Sequence, residues 1–239
     1  MFISTKTMKK ILRKILIFVM KLLLLLIILS VAWVTLYKFA NPPITPLMLI
    51  RYFEQPSGQR SIKTKWKSYD EISNNMKMAV IAAEDQTFPF NNGFDFHAIE
   101  EAIDDRLEGS RLRGASTISQ QSAKNVFLWP ERSWVRKGFE AYFTVLIEKI
   151  WGKKRILEIY LNVIETGNGI YGVDEAAQVY FGRSAKNLDI VDASLIAAIL
   201  PDPRVTSPAK PSEHLLNRER WIREQISNLG GTSYLKNIK

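Results

Sequence analysis

The chain has 239 residues, of which 46% are hydrophobic and none is cysteine, so it has room for one good core and a second lobe, while a disulfide framework and thiolate chemistry are excluded. The formal net charge is +9, but residues 1–40 hold seven Lys or Arg and no acid, which leaves the rest of the chain close to neutral. The body therefore lacks the basic bias of a nucleic-acid-binding protein, and no nucleic-acid partner is expected.

An apolar run at residues 15–37 contains a single charge, Lys21. A helix crosses a bilayer with about 20 such residues, so this run predicts a transmembrane helix. Five basic residues lie within residues 6–14 and only Lys38 follows the run, so the positive-inside rule predicts a cytoplasmic basic tail at residues 1–14 and places the chain after residue 40 outside. A cleaved signal peptide is the alternative, because residues 30–32 read Ser-Val-Ala, but the run exceeds the usual length of a signal core.

Residues 38–60 are predicted to be a linker and irregular segment. The linker contains Pro42, Pro43 and Pro46, and six residues in polyproline geometry reach only about 19 Å. The globular domain, predicted at residues 61–239, therefore lies close to the membrane surface. A polar stretch at residues 54–68 is compatible with a short strand or hairpin.

Helical periodicity begins at residue 47 and predicts a mainly α domain. Ser68 and Asp70 are candidate caps for a helix that runs through Ala83. Further helices are predicted at residues 95–107, 117–127, 133–151, 153–165, 173–182, 189–200 and 212–229.

Two adjacent carboxylates, Glu84 and Asp85, follow the apolar face of the first of these helices. Glu84 continues the row of Met76 and Val80 at i+4 spacing, whereas Asp85 lies about 100° further round, toward the outer side. Partial burial raises the proton affinity of a carboxylate, so Glu84 is a candidate general base. A surface glutamate at a helix end is the alternative.

The helix at residues 133–151 carries Arg136 and Glu140 along one border of an apolar stripe, with Lys137 adjacent. From the residues alone, an intrahelical ion pair is the favoured interpretation of this pattern. The predicted apolar stripe consists of Val135, Phe139, Tyr142, Phe143, Leu146 and Ile150.

In the chain after residue 40, positive charge is concentrated between Arg106 and Lys137, a segment that contains seven basic residues and two acidic ones. Small residues at 114–116 allow close approach of a ligand to the backbone, and the hydroxyl and amide groups that follow offer hydrogen bonds. This segment is a candidate cradle for a phosphorylated, hydroxyl-rich molecule, although a capped helix with a polar face has the same composition. Its candidate binding residues are Ser116, Thr117, Gln121, Lys124 and Asn125.

Five ordered segments resemble the motifs of one family: EDQTFPFNNGFD, RGASTISQQSAKN, RKGFEA, KKRILEIYLN and GNGIYGVDEAAQVYFG. They are similar to the motifs of the monofunctional biosynthetic peptidoglycan transglycosylases, which share their glycosyltransferase domain with bifunctional penicillin-binding proteins. The resemblance covers roughly residues 60–230. It implies a mainly α, lysozyme-like two-lobed helical glycosyltransferase domain with one N-terminal transmembrane helix, in the bacterial inner (plasma) membrane with the catalytic domain periplasmic or extracytoplasmic.

The activity that the resemblance implies is polymerisation of lipid II, in which the growing glycan on undecaprenyl pyrophosphate is transferred with inversion to the 4-hydroxyl of the acceptor sugar. Glu84 then matches the general base, and Glu140 matches a second glutamate near the donor sugar and its pyrophosphate. The family's cations stabilise the leaving pyrophosphate. The substrate-binding residues implied in this way are Asp85, Phe88, Ser116, Thr117, Gln121, Lys124, Asn125, Arg132, Arg136 and Lys137.

The resemblance has one clear departure, because the family's first motif usually has a histidine where this chain has Asn91. We interpret this as a change in a supporting hydrogen bond. No cofactor is expected to be required, although a divalent cation that assists the pyrophosphate is an alternative, and His97 and His214 have no metal-like neighbours in sequence. The expected partners are lipid II, the growing glycan and the membrane, with other cell-wall synthesis or division proteins as further candidates.

The motif GNGIYG formally matches the dinucleotide fingerprint G-x-G-x-x-G, but it is set aside because a helical pattern precedes it where that fingerprint needs a strand.

Two functional alternatives stay open at the sequence level. A lysozyme-like or lytic glycan-cleaving enzyme also uses carboxylates on a helical scaffold, but has no need of the basic segment. A non-catalytic membrane-tethered scaffold is the second.

Residues 126–134 have the composition of a segment that contacts the bilayer, with a buried core of the small lobe as the alternative.

Overall fold

The computed structural model describes residues 5–98, 100 and 116–239, in two compact units that comprise residues 1–40 and 41–239. The first unit is one helix, α1 (Thr5–Phe39). Its segment Met8–Phe39 has 32 residues, and the most apolar stretch of 18 residues within it has a mean hydropathy of 3.0, which makes the helix long and apolar enough to cross a membrane. The expectation of one long apolar helix at the N-terminus is therefore confirmed.

The second unit is mainly helical, as the sequence predicts. Its described helices are α2 (Pro46–Glu54), α3 (Asn74–Glu84), α4 (Ile118–Phe127), α5 (Trp134–Ile150), α6 (Lys153–Val163), α7 (Val173–Phe181), α8 (Ile190–Ile199) and α9 (Glu213–Asn228). Short 3-10 turns lie at Tyr69–Glu71, Ala185–Asn187 and Gly231–Asn237. The predicted helix at residues 95–107 falls largely outside the described residues, and the two-lobed arrangement stays a prediction.

Helix α2 occupies residues 46–54 of the segment 38–60, and it agrees with the helical periodicity predicted from residue 47. The Thr45 side chain caps the helix by accepting a hydrogen bond from the Met48 amide at 3.2 Å, and Pro46 occupies the first turn, where its missing N–H costs nothing. Leu47 and Met48 are buried, and α2 packs against α4.

A small sheet holds the GNGIYG motif, in the strand order β1 (Lys63–Thr64), β3 (Ile170–Tyr171), β2 (Glu165–Gly167). The pair β1–β3 is parallel and the pair β2–β3 is antiparallel. Gly172, at φ 80°, ends the hairpin, and a Cβ there would lie 2.7 Å from the carbonyl oxygen of Asn162. Gly172 therefore allows the hairpin to pack closely against α6. The short strand expected in residues 54–68 is present as β1.

Helix α3 is the centre of the core, because it packs against α8 and α9 and is buried continuously from Met76 to Ala82. It begins later than predicted. The Ser73 hydroxyl caps it by accepting from the Met76 amide at 3.1 Å. Ser68 instead begins the 3-10 turn, and the extended backbone of Ile72 separates that turn from α3.

Asp85 is buried, with 6% of its surface exposed, so the prediction that it faces outward was wrong. Helix α3 ends at Glu84, and Asp85 has φ −161° and ψ 81°, so the 100° step of a helix does not apply to it. Its Oδ2 accepts a hydrogen bond from the Ile118 amide at 3.0 Å. Asp85 therefore fixes the first turn of α4 against the end of α3.

A partly buried polar network supports this junction. Asn91 donates to Asp85 Oδ1 at 2.8 Å and accepts from Lys153 Nζ at 3.1 Å. Lys153 also donates to Glu148 at 2.7 Å, and the Ser119 hydroxyl donates to the same carboxylate. Asn91 thus makes a supporting hydrogen bond, and its partner is Asp85 rather than Glu84.

The stability of the junction is expected to depend on pH. Burial raises the pKa of Asp85 from 3.8 to about 6, against the opposing hydrogen bonds from Ile118 and Asn91 and the charge of Lys153. Because the folded pKa exceeds the unfolded one, this group's contribution is fully present below the unfolded pKa and is lost as pH rises through about 6. Thermal unfolding of the full chain and of Asp85→Asn, followed by tryptophan fluorescence in detergent, measures this.

We expect the stability difference between the two proteins to shift in favour of Asp85→Asn as pH rises from about 4 to about 7. The comparison between the variants removes the contributions of other carboxylates. A difference that stays constant over this range would contradict the raised pKa.

Candidate active site

Glu84 is the last residue of α3, and 14% of its side chain is exposed. Its Oε2 accepts a hydrogen bond from the Gln121 amide nitrogen at 2.7 Å, and Arg218 Nη2 lies 3.8 Å from its Oε1. The Tyr160 hydroxyl donates to Gln121 Oε1 at 3.3 Å, which fixes the orientation of that amide. Three separate helices therefore hold the Glu84 carboxylate in place.

Burial raises the pKa of Glu84 above its ordinary value, while the hydrogen bond from Gln121 and the charges of Arg218 and Lys124 oppose this shift. Burial likewise raises the pKa of Tyr160 well above its usual range, so its hydroxyl keeps its proton. A carboxylate with an increased proton affinity and a small exposed fraction has the properties of a general base.

Glu140 is buried on α5 between two cations. Arg136 Nη1 donates to its Oε2 at 3.1 Å, and Lys137 Nζ donates to its Oε1 at 2.5 Å. Arg136 and Glu140 are 8% and 3% exposed. This pair therefore lies on the inner face of α5, where the sequence predicted only a border position.

The predicted apolar stripe of α5 was partly wrong for the same reason. Val135 and Phe139 are 67% and 47% exposed, whereas Phe143 and Ile147 are buried. Hydrophobic periodicity cannot identify a face that begins with a paired arginine and glutamate, because such residues count as polar wherever they point.

Lys124 interacts electrostatically with both glutamates. It is on α4, one turn after Gln121, and burial lowers its pKa; among the nearby charges, Glu140 and Glu84 oppose this shift, whereas Arg136 contributes to it. Its amino group lines the cavity, where a ligand with negative groups can reach it.

A cavity of ≈ 270 Å³ opens beside these groups. Five residues predicted to bind substrate line it: Gln121, Lys124, Asn125, Arg132 and Arg136. Helix α4 supplies three of them, and the two arginines come from α5 and the turn before it. The cationic, amide-rich wall that the motifs predicted is therefore assembled in one place.

The other predicted residues lie elsewhere. Asp85 and Phe88 are buried behind the wall, and Lys153 Nζ sits 4.7 Å from the centre of the Phe88 ring. Thr117 is the buried cap of α4, where it accepts from the Gln120 amide and donates to the Gly93 carbonyl. Ser116 is exposed, and residues 114 and 115 lie outside the described residues.

Several residues of the site were not found by sequence reasoning. Arg218, on α9, pairs with Glu84 although 134 positions separate them, and no local pattern signals such a contact. Arg51, Tyr160 and Glu165 line the cavity as well. Its apolar wall consists of Leu47, Pro130, Ile164, Leu200, Pro201 and Pro203.

Within the described residues, no three His, Asp or Glu side chains form a group that could hold a metal ion. Both histidines, His97 and His214, are exposed. The GNGIYG hairpin follows the helix α6 and pairs with the short strand β1, so it lacks the strand–turn–helix setting of a dinucleotide site.

The chain matches the transglycosylase family over residues 51–227. It is similar to a protein of Stutzerimonas stutzeri named biosynthetic peptidoglycan transglycosylase, at 51% identity over 230 residues, which cover 95% of each chain. Proteins with the same name occur in Chromohalobacter salexigens, at 53% identity over 74% of this chain and 76% of the relative, and in Pseudomonas fluorescens, at 50% identity over 87% and 88%. The chain therefore belongs to the transglycosylase family.

Proposed function

We propose that this chain is a peptidoglycan glycosyltransferase that polymerises lipid II. The observation that carries the proposal is the position of Glu84, a sheltered carboxylate hydrogen-bonded to Gln121, next to a cavity lined by Lys124, Arg132 and Arg136. A base on one side and fixed cations on the other are what displacement of a pyrophosphate requires. The names of the relatives agree with this reaction.

Glu84 removes the proton from the 4-hydroxyl of the acceptor sugar as that oxygen attacks the anomeric carbon of the donor. A new carbon–oxygen bond forms while the bond between the anomeric carbon and the pyrophosphate oxygen breaks. Its electron pair leaves with undecaprenyl pyrophosphate. One displacement inverts the configuration, from an α donor to a β-1,4 linkage.

The cations act on the leaving group. Lys124 and Arg136 are held inside the site rather than on mobile surface chains, so they need little reorganisation as negative charge grows on the pyrophosphate. Glu140 binds Arg136 and Lys137 and so keeps two cations in position beside the donor. Arg132 is more exposed and meets the outer part of the same group.

We further propose a single-pass arrangement in the bacterial inner membrane. The basic residues that precede the apolar run support a cytoplasmic N-terminus and a catalytic unit on the periplasmic or extracytoplasmic side. In the segment proposed to contact the bilayer, Phe127 and Leu128 are buried, whereas Trp134 is 91% exposed. Bilayer contact is therefore assigned to Trp134 and the adjacent Val135.

Glu84→Gln is expected to reduce polymerisation by about a hundred- to ten-thousand-fold, since the amide keeps the shape of the side chain but cannot accept the proton. The assay is gel analysis of glycan made from purified lipid II by the full chain in detergent. Glu224→Gln, an exposed position on α9, is the matched control and should polymerise normally. Normal activity of Glu84→Gln, with the fold intact, would rule out this residue as the base.

The acidic limb of the pH–rate profile reports the raised pKa of Glu84. The active form is the carboxylate, so the rate falls as pH falls through that pKa. The hydrogen bond from Gln121 lowers the pKa, so Gln121→Leu should move the acidic limb to higher pH. The profile of kcat/KM against pH measures this shift, and an acidic limb that moves to lower pH would contradict the arrangement.

No resident metal is proposed, because the polar wall of the cavity offers lysine, arginine, amide and tyrosine groups with a single carboxylate, Glu165, and these do not form a metal-ligand set. A divalent cation that assists the reaction would arrive bound to the pyrophosphate. Addition of a chelator to the lipid II assay should therefore leave most of the activity. Complete and metal-reversible loss would contradict this expectation and show that the reaction depends on a divalent cation.

A further inference from the structure

A second cavity, of ≈ 540 Å³, opens at the start of α3. Three elements line it: the 3-10 turn Tyr69–Glu71, the first residues of α3 and the 3-10 turn Gly231–Asn237. Its described lining residues are all different from those of the cavity that contains Lys124. The proposed reaction makes no use of this second cavity.

Lys77 is a buried cation in the lining of the second cavity. Only 3% of its surface is exposed, and its Nζ lies 4.1 Å from the centre of the Tyr69 ring. Within the described part of the chain, no carboxylate lies within ion-pair distance of this amino group and no acceptor forms a hydrogen bond with it. Burial lowers the pKa of Lys77, while the charge of Asp70 opposes this shift and that of Lys154 adds to it. An ammonium group without an acceptor is costly to bury, which favours a ligand that supplies negative oxygens.

The other charges around the second cavity leave an excess of lysine. Among the described lining residues the only carboxylate is that of Asp70, and Lys154 Nζ lies 3.4 Å from its Oδ1. Lys154 Nζ also lies 4.8 Å from the centre of the Tyr69 ring. Lys236 lines the cavity as well and is exposed. Three lysines therefore surround a site whose carboxylate is already paired.

Neutral donors complete the lining. Asn74 offers a side-chain amide and Thr232 a hydroxyl. Asn74 is also the first residue of α3, and the N-terminal end of a helix carries partial positive charge that favours an anion. The donors thus approach from two separate elements, α3 and the turn Gly231–Asn237.

We propose that the second cavity binds a phosphate group, with Lys77 at its base and Lys236 at its rim. A phosphate monoester presents three strong acceptor oxygens, so it meets donors from both elements at once, whereas a carboxylate presents two. The volume of the cavity exceeds that of a phosphate, so the group arrives on a larger molecule, either a soluble phosphate ester or the headgroup of a lipid. The proposal does not depend on the reaction at Glu84.

The second cavity joins α3 to a turn that already contacts the segment after Glu84. Helix α3 ends at Glu84, and the Tyr234 hydroxyl of the turn donates to the Gln86 carbonyl at 2.6 Å. A phosphate bound between Lys77 and Lys236 adds a second link between this turn and α3. Occupancy is therefore expected to stabilise the segment that carries the base.

The test uses Lys236 as the reporter, because this lysine is exposed and lies outside the cavity that contains Lys124. The full chain in detergent is treated with formaldehyde and cyanoborohydride, and peptide mass spectrometry follows the methylation of each lysine. A titration with glycerol phosphate should slow the methylation of Lys236 by at least about tenfold as the site fills. Lys210, an exposed lysine outside both cavities, is the internal control and should react at an unchanged rate.

Lys77→Met keeps the aliphatic part of the side chain and removes the ammonium group. This variant should raise the concentration of glycerol phosphate that protects Lys236 by at least about tenfold. If it does not fold, Asn74→Asp, a change at an exposed position, is measured in the same way. The added carboxylate should repel the phosphate and raise the protecting concentration as well.

Two further arms identify the ligand. Micelles that contain phosphatidic acid present the same phosphate on a lipid, so protection of Lys236 in that arm alone supports a headgroup as the ligand, whereas protection by glycerol phosphate supports a soluble ester. Equal protection by acetate at the same ionic strength would overturn the assignment to phosphate. Protection that is absent from both phosphate arms, or that is unchanged in the folded variant, would overturn the site itself.

Discussion

One hydrogen bond, from the Ile118 amide to the carboxylate of Asp85, sets the geometry on which the active site depends. It joins the end of α3 to the start of α4, so Glu84 at the end of one helix meets Gln121 on the first turns of the other. Lys124 follows one turn later and reaches the cavity. The bond is buried and charge-assisted, and such bonds are shorter and stronger than neutral ones. The bond therefore supports the position of the base, together with the hydrogen bond from Gln121 and the charge of Arg218 at Glu84.

Charges of opposite sign interact within the site: Lys124 with Glu84 and Glu140, and Glu140 with Arg136. Removing such charges from water is expensive, and a buried ion pair often adds no net stability. The benefit lies in preorganisation, because a group already oriented does not need to reorient as charge moves during reaction. At both Glu84 and Lys124, burial shifts the pKa in one direction and the opposite charges nearby shift it back. The fold accepts a cost in stability for a site that is ready before substrate arrives.

Local patterns were sufficient for the helices and for much of the cavity wall. Caps at Thr117 and Ser133 are readable from residue type, and the spacing of Gln121 and Lys124 places both on one face of α4. Other features depend on contacts between distant segments. The inward direction of Asp85 follows from the break in α3, and the ion pair of Arg218 with Glu84 requires α9 to pack on α3. Periodicity also misplaced Val135, because it treats every charged residue as exposed.

The first turn of α5 has two opposite sides. Trp134 points almost fully away from the protein, while Arg136, two residues later, is buried in the cavity wall. On the proposed orientation, a lipid whose headgroup rests on Arg136 therefore has its hydrocarbon chain only half a helical turn from the surface that faces the bilayer. The spent carrier would return to the membrane sideways, without extraction of its long tail into water, and the enzyme could keep hold of the lengthening glycan meanwhile.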